Sequence, residues 1–182
     1  GNVEPSQRLV DLFLRATGLR AGSQGTMNNL TLGGIDTNGG AWSLYETIGG
    51  GTGATAHSNA PSGHQTHMTN TRATDIEVLE TRYPLRVRRF AIRHGSGGAG
   101  RHSGGDGLVR ELELVCSGEA TLLATRRDQG ACGIEGGASG TPGQDTVIRE
   151  GAVTLWDGRS VQLVPGDRLR IETPGGGGYG KP

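Results

Sequence analysis

Leu108-Val109-Arg110-Glu111-Leu112-Glu113-Leu114-Val115-Cys116 is the stretch on which the fold turns. Leu108, Leu112, Leu114 and Cys116 share one parity and Val109, Glu111 and Glu113 the other, the two-residue period of a strand with one face on a core. Downstream, residues 121–125, 147–153 and 161–164 are short β-prone runs between glycines, while Trp156-Asp157-Gly158-Arg159 and Pro165-Gly166-Asp167 read as tight turns. Upstream, Tyr83, Leu85 and Val87 keep one parity but Phe90 and Ile92 take the other, which predicts a strand bulged near Arg88 and Arg89. Strand and turn signals extend back to Leu30. Ahead of them, Pro5 suits a first helical turn, Leu9, Val10, Phe13 and Leu14 recur on one face, Arg15 suits the last turn and Gly18 stops the run. The pattern predicts an amphipathic packing helix over about residues 5–17. The sum is a mainly β chain, an antiparallel sandwich or partly closed barrel with one N-terminal helix, read as a single glycine-rich domain over residues 1–182.

Composition narrows the classes. Only 32% of the 182 residues are apolar while glycine supplies 35, without a Gly-X-Y period, so glycine serves turns and close backbone approach rather than a collagen-like helix. A chain this poor in large apolar side chains offsets its conformational entropy with difficulty on its own, which fits a piece that packs against the rest of a larger subunit. The opening Gly1-Asn2-Val3-Glu4 reads the same way, as a start inside a longer chain. Eighteen basic and eighteen acidic residues cancel, which disfavours nucleic acid and anionic membrane as partners. Lys181 is the one lysine, so a Gly-x-x-x-x-Gly-Lys-Ser/Thr phosphate loop is excluded. Cys116 and Cys132 lack metal or redox spacing, no apolar run nears the roughly 20 residues that span a bilayer, and no signal segment opens the chain; a cytoplasmic location follows as the expectation.

Three polar words stand out: Ser23-Gln24-Gly25-Thr26-Met27-Asn28-Asn29-Leu30, Tyr45-Glu46-Thr47-Ile48-Gly49-Gly50-Gly51 and His67-Met68-Thr69-Asn70-Thr71-Arg72. Each sets small polar side chains beside or near glycine or turn-forming residues, the make-up of a pocket rather than a core. His67 is a candidate general acid or base, with Thr69, Asn70, Thr71 and Arg72 fixing a carbonyl or phosphate; the bland reading is that Thr and Asn beside His cap a turn. Glu46, before Gly49, Gly50 and Gly51, is the second catalytic candidate, able to orient a water, unless it merely pairs with an arginine. Gln24, Asn28 and Asn29 supply amide donors and acceptors, or turns. No metal site is expected: His64 and His67, with Glu46, Asp75 or Glu77, would need rings that an extended strand splays to opposite faces. Arg101, Arg126 and Arg127 could hold a carboxylate or phosphate bidentately, but with Asp128 adjacent a solvated pair fits at least as well, and Cys132 reads as inert. Residues 175–178 are a flexible tail or an anion nest by composition.

These words, with Gly1-Asn2-Val3-Glu4, Tyr83-Pro84-Leu85-Arg86-Val87, Ser96-Gly97-Gly98-Ala99-Gly100-Arg101, Pro165-Gly166-Asp167 and Thr173-Pro174-Gly175-Gly176-Gly177-Gly178-Tyr179-Gly180, resemble the hydantoinase B/oxoprolinase family in order along nearly the whole chain. Members of that family are several hundred residues long, so the resemblance is to their C-terminal third. It implies ATP-dependent hydrolytic opening of a cyclic amide such as hydantoin or 5-oxoproline, or the related ATP-driven carboxylation of ketones. It implies that ATP and a divalent metal belong to the complete enzyme and not to this chain, and that the partners are an A-type, actin-like ATPase subunit and the remaining N-terminal portion of the B-type subunit. The amides of Gln24, Asn28 and Asn29 would then read the ring's C=O and N–H, and residues 175–178 would form an ordered loop. A non-catalytic structural or interface module is the rival: it would bury Asn28, Glu46 and His67, whereas a site would line a cleft with them. The isolated chain is expected to be inactive.

Overall fold

A computed structural model describes residues 3–182; the Gly1-Asn2 part of the opening word lies outside the described residues. Two helices, α1 (Val3–Ala16) and α2 (Ile76–Arg82), accompany nine strands. These are β1 (Asn29–Ile35), β2 (Ala41–Thr47), β3 (Leu85–Arg93), β4 (Gly107–Leu114), β5 (Gly118–Leu123), β6 (Gln144–Arg149), β7 (Ala152–Leu155), β8 (Val161–Leu163) and β9 (Arg168–Glu172). Every pairing is antiparallel, in one sheet of order β2-β1-β5-β8 and another of order β3-β4-β9-β6-β7. The sheets stay separate, so the architecture is the expected sandwich and not a closed barrel.

The parity of residues 108–116 places Leu108, Leu112 and Leu114 in the core from β4, against Leu169 and Ile171 of β9 and Leu30, Leu32, Leu44 and Leu122 of the opposing sheet. Fully burying each such side chain is worth about 1.5–3 kcal/mol. Glu111, on the other face of β4, is also buried, because Arg168 and Arg170 of β9 each donate to one of its oxygens. The parity switch before Phe90 is a real bulge: the β3–β4 register shifts between Val87 and Arg89, and the extra residue, Arg88, grips Glu113 through two bonds of 2.6 and 2.8 Å.

Three local readings need correction. Residues 147–153 are not one strand but a hairpin, because Glu150 and Gly151 take φ of +50° and +85° and turn β6 into β7. Residues 76–82 form a helix that the strand-and-turn reading passed over; Asp75 caps it by accepting the Glu77 and Val78 N–H groups, and Leu79 enters the core. The third concerns α1, which forms as expected but faces the other way. Leu9 and Phe13 are 67% and 63% exposed, while Gln7 and Asp11 are buried. Its inward face is chosen by the polar loops it covers, which need hydrogen-bond partners more than apolar cover.

Beside the sandwich, residues 174–178 run buried between loops from four other parts of the chain. Gly175 N–H donates to Thr141 O, Gly176 to Gly105 O, Gly177 to Gly22 O and Gly178 to Ala138 O, at 2.7–3.1 Å. With all four N–H groups committed, the segment is an ordered strut and not an anion nest. A Cβ on each glycine would strike a different backbone: Ser96 at Gly175, Thr52 at Gly176, Cys132 at Gly177 and Ala99 at Gly178. The four glycines are there because four backbones pass at contact.

Candidate functional site

β2 leaves the sandwich at Thr47 and continues as residues 48–51, while residues 63–73 return beside it through the Gly50–His64 bridge. A cavity of about 480 Å³ opens between them, lined among others by Glu46, Thr47, Gly49, His64, Gln65, Thr69, Asn70, Thr71, Arg72, Phe90 and Arg110. The second and third polar words therefore meet in one concavity.

Its floor is an ion pair between the two sheets. Glu46 follows Leu44 at the core parity of β2, and Arg110 lies between Leu108 and Leu112 at the core parity of β4. Both are buried, Arg110 to 1% and Glu46 to 5% exposure. Arg110 Nε and Nη2 donate to the two Glu46 oxygens at 3.2 and 3.1 Å, and its guanidinium lies 4.7 Å over the Phe90 ring. Glu46 also accepts from Thr74 N–H. Arg110 Nη1 has no hydrogen-bond partner among the described residues. The same is true of Gln65 Oε1. The amide orientation of Gln65 is fixed, because Nε2 lies 3.3 Å from the Thr47 carbonyl, which can only accept, and 3.1 Å from Thr47 Oγ1. Thr47 and Thr71 join their hydroxyls across the wall.

Gln24, Asn28, Asn29, Gly50, Gly51 and His67 stand behind that wall. Gln24 and Asn28 are wholly buried; Asn28, at φ +47°, donates to Gln24 Oε1 and Ile48 O at 2.9 Å and accepts from Arg127 at 2.9 Å. Gln24 N–H donates to Gly51 O. Asn29 sits in β1 opposite Thr47. Gly50 and Gly51 lie against Gln24, Gly105 and Gly176, where a Cβ has no room. His67, at φ +52°, sets Nε2 3.3 Å from Asp11 Oδ1, which also accepts Ser23 N–H, while Arg126 lies 3.6 Å from Asp11 Oδ2. Thr69 Oγ1 is 2.7 Å from the Gln7 amide. The buried face of α1 thus clamps the 66–69 loop from outside. Of Asn28, Glu46 and His67, only Glu46 lines the cavity, and it does so already paired. Arg110 and Gln65 were missed; the visible signal was an arginine at a leucine parity.

His64 is exposed on the cavity rim and Asp75 is committed to its helix cap, so the His64/His67 constellation does not assemble. No group of three or more His, Cys, Asp or Glu among the described residues comes together to hold a metal, and these residues do not fit one. No helix among them is long and apolar enough to cross a membrane.

A sequence model described as hydantoinase B/oxoprolinase matches residues 1–182. 5-Oxoprolinase 1 of Arabidopsis thaliana is 47% identical over 182 residues, covering 99% of this chain and 14% of its own length. The crystal structure of the ATP-dependent caprolactamase from Pseudomonas jessenii superposes with a TM-score of 0.77 at 24% identity, over 93% of this chain and 32% of that one. A nucleotide-free acetone carboxylase structure gives 0.72 at 17% identity, over 92% and 27%. These two show likeness of fold. The chain spans 14–15% of the length of the curated relatives it matches first.

Proposed function

This chain belongs to the hydantoinase B/oxoprolinase family, and from that premise we propose that it forms the C-terminal part of a larger subunit that opens a cyclic amide at the expense of ATP. In this reading the 480 Å³ cavity holds the ring. That cavity carries the proposal: its volume suits a small ligand, and its wall is built from two of the three polar words. An unstrained lactam resists water. Transfer of a phosphoryl group from ATP to the amide oxygen, with release of ADP, activates the ring carbon; water adds to it, the ring C–N bond breaks with the nitrogen leaving as a protonated amine, and a second water hydrolyses the remaining acyl phosphate to carboxylate and inorganic phosphate. The nucleotide and any divalent metal belong to an A-type ATPase partner and to the rest of the B-type subunit.

Within this division the chain's own residues bind and orient. Glu46 fixes the Arg110 guanidinium, and His67 with Asp11 fixes the loop that carries Thr69, Asn70, Thr71 and Arg72. We assign both Glu46 and His67 positioning roles, in place of direct proton transfer. Burial of Asn28 and His67 favours a second reading, a structural module of the complex.

In the complete enzyme, Arg72→Ala is the discriminating variant, since Arg72 lines the cavity from an exposed position. ATP-dependent opening of 5-oxoproline should show KM raised about tenfold, the scale of one lost hydrogen bond to a charged group, with the melting temperature unchanged. Unaltered kinetics together with weakened subunit association would establish the module instead.

A further inference from the structure

The two outer faces of the sandwich are unlike. On the five-stranded sheet the outward positions carry Arg86 and Arg89 from β3, Glu111 and Glu113 from β4, and Arg168 and Arg170 from β9, the charged cover of a face that meets water. On the four-stranded sheet the outward positions of β1, β2 and β5 hold Asn, Thr, Gly, Ser, Ala, Ile, Tyr and Leu, and Glu119 is the single charge. Glu119 is itself spent on Ser160 and Gln162. Ile35, Tyr45 and Leu123 stand 58%, 61% and 63% exposed on this face. Tyr45 and Leu123 line, with Val3 of α1, a groove of about 380 Å³. Loss of charge around exposed large apolar side chains is the make-up of an interface centre, not of a solvated sheet.

We propose that this face seats the remainder of the longer subunit, packed on it through an uncharged, apolar element of the same polypeptide. Two observations choose that occupant. Relatives 43% and 47% identical along nearly all of this chain carry its counterpart as 14% of their own length, so most of such a polypeptide lies elsewhere. A separately made partner is steered and selected by charge, which this face lacks, whereas a tethered element meets the face at high effective concentration and needs no steering. Permanent contacts are accordingly the more apolar kind. The assignment rests on the larger-subunit part of the reading above and not on what the cavity binds. It also ties the two together, because Tyr45 on this face and Glu46 in the cavity floor are neighbours on β2, and an element docked on Tyr45 braces the strand that carries Glu46.

The test places the photo-cross-linker p-benzoylphenylalanine at Tyr45 in the complete enzyme, where it keeps an aromatic ring at an exposed strand position. After irradiation the subunit should still run at the mass of one subunit on a denaturing gel, and its digest should contain a peptide joining residue 45 to sequence outside residues 1–182. A band at the summed mass of two copies, or of the subunit and its ATPase partner, overturns the assignment. So does a residue 45 that stays uncross-linked or joins only residues within 1–182. Thr121→Lys gives an independent readout, since Thr121 is an exposed residue opposite Thr31 in the middle of the face. On a bare sheet the lysine would change little. Under a docked element it buries an unpaired charge, and the rate of limited proteolysis of the complete subunit should rise by about tenfold or more. An unaltered rate overturns the proposal, and failure of this variant to fold leaves the cross-link to decide. An enzyme that opens 5-oxoproline but shows a bare face removes this assignment alone; one that forms the cross-link but opens no cyclic amide removes the cavity reading alone.

Discussion

The sandwich and the glycine-lined loops beside it are both dry interiors, built by opposite means. In the sandwich, leucine side chains from two sheets fill the space between backbones, with Leu112 and Leu169 fully buried across neighbouring strands. Around residues 174–178, backbone packs on backbone and no side chain fits between. The first kind of interior stores its stability in volume and tolerates a change of shape if volume is kept. The second stores it in approach distance, and tolerates nothing larger than hydrogen. The difference teaches why a chain with so few apolar residues can still exclude water. Glycine here is a packing residue.

The sharpest way to break that comparison is Gly176→Ala in the complete subunit. Its new methyl would meet the Thr52 carbonyl and the Gly53 N–H, both backbone and both held by neighbouring bonds. The loss should exceed about 4 kcal/mol, the range reserved for the most disruptive single changes, and show as failure to accumulate folded protein or as a collapsed urea midpoint. If alanine is accepted with a loss below about 1 kcal/mol, the loops are not packed at contact and the contrast disappears.

Leu112 supplies the other side. Leu112→Ala should cost about 2–5 kcal/mol by urea denaturation, from lost transfer energy and a cavity, and Leu112→Met less than about 1.5 kcal/mol. Equal penalties for the two variants would mean that shape, not volume, governs the sandwich as well.

A smaller effect belongs to the rim. Asp167 receives Arg149 at 2.6–3.0 Å and Val164 N–H at 2.9 Å. Burial pushes its carboxyl up, but these bonds and the Arg149 charge outweigh burial and hold it below the ordinary carboxylate value. A lowered folded value means the contribution is complete above the unfolded pKa, about 3.9, and is lost as pH falls through the folded one. Asp167→Asn should therefore cost about 1–2 kcal/mol at pH 7, with the gap from wild type closing below about pH 4 in paired thermal melts. A gap that persists unchanged at pH 2 would show that the carboxylate charge does not matter there.

The strand architecture was legible because parity is local. Residues 108–116 gave a face, and the switch before Phe90 gave a bulge, without knowledge of any partner strand. The orientation of α1 was not legible, since its apolar stripe is clear in sequence while its inward face depends on Ser23, Thr69 and Arg126, residues far along the chain. The site was legible in part for the same reason. The second and third words meet because the Gly50–His64 bridge brings their loops together, and the first is turned behind them at Asn28, a placement decided by a left-handed backbone that composition does not reveal. Arg110 had a local signal, a charge at a leucine position, and Gln65 had none, since its place in the wall depends on its bonds to Thr47 and Thr71.

The glycine strut also sets an order of events at the ribosome. The Gly22, Thr52, Gly105 and Cys132 backbones emerge early, yet Gly22 and Gly105 find acceptor duties, and the Ala54 N–H its partner, only when residues 174–178 follow. Until then those loops have only their bonds to one another, such as Gly22 N–H to Cys132 O and Gly105 N–H to Thr52 O, and these are of the slow, long-range kind. The sandwich waits almost as long, since β9, the strand that joins β4 to β6 and carries Leu169 and Ile171, emerges just ahead of the strut. The cavity wall at Ile48 and Gly49 waits for the strut, since Gly51 just behind it donates its N–H to the Pro174 carbonyl, so binding competence arrives in one late step rather than growing with the chain.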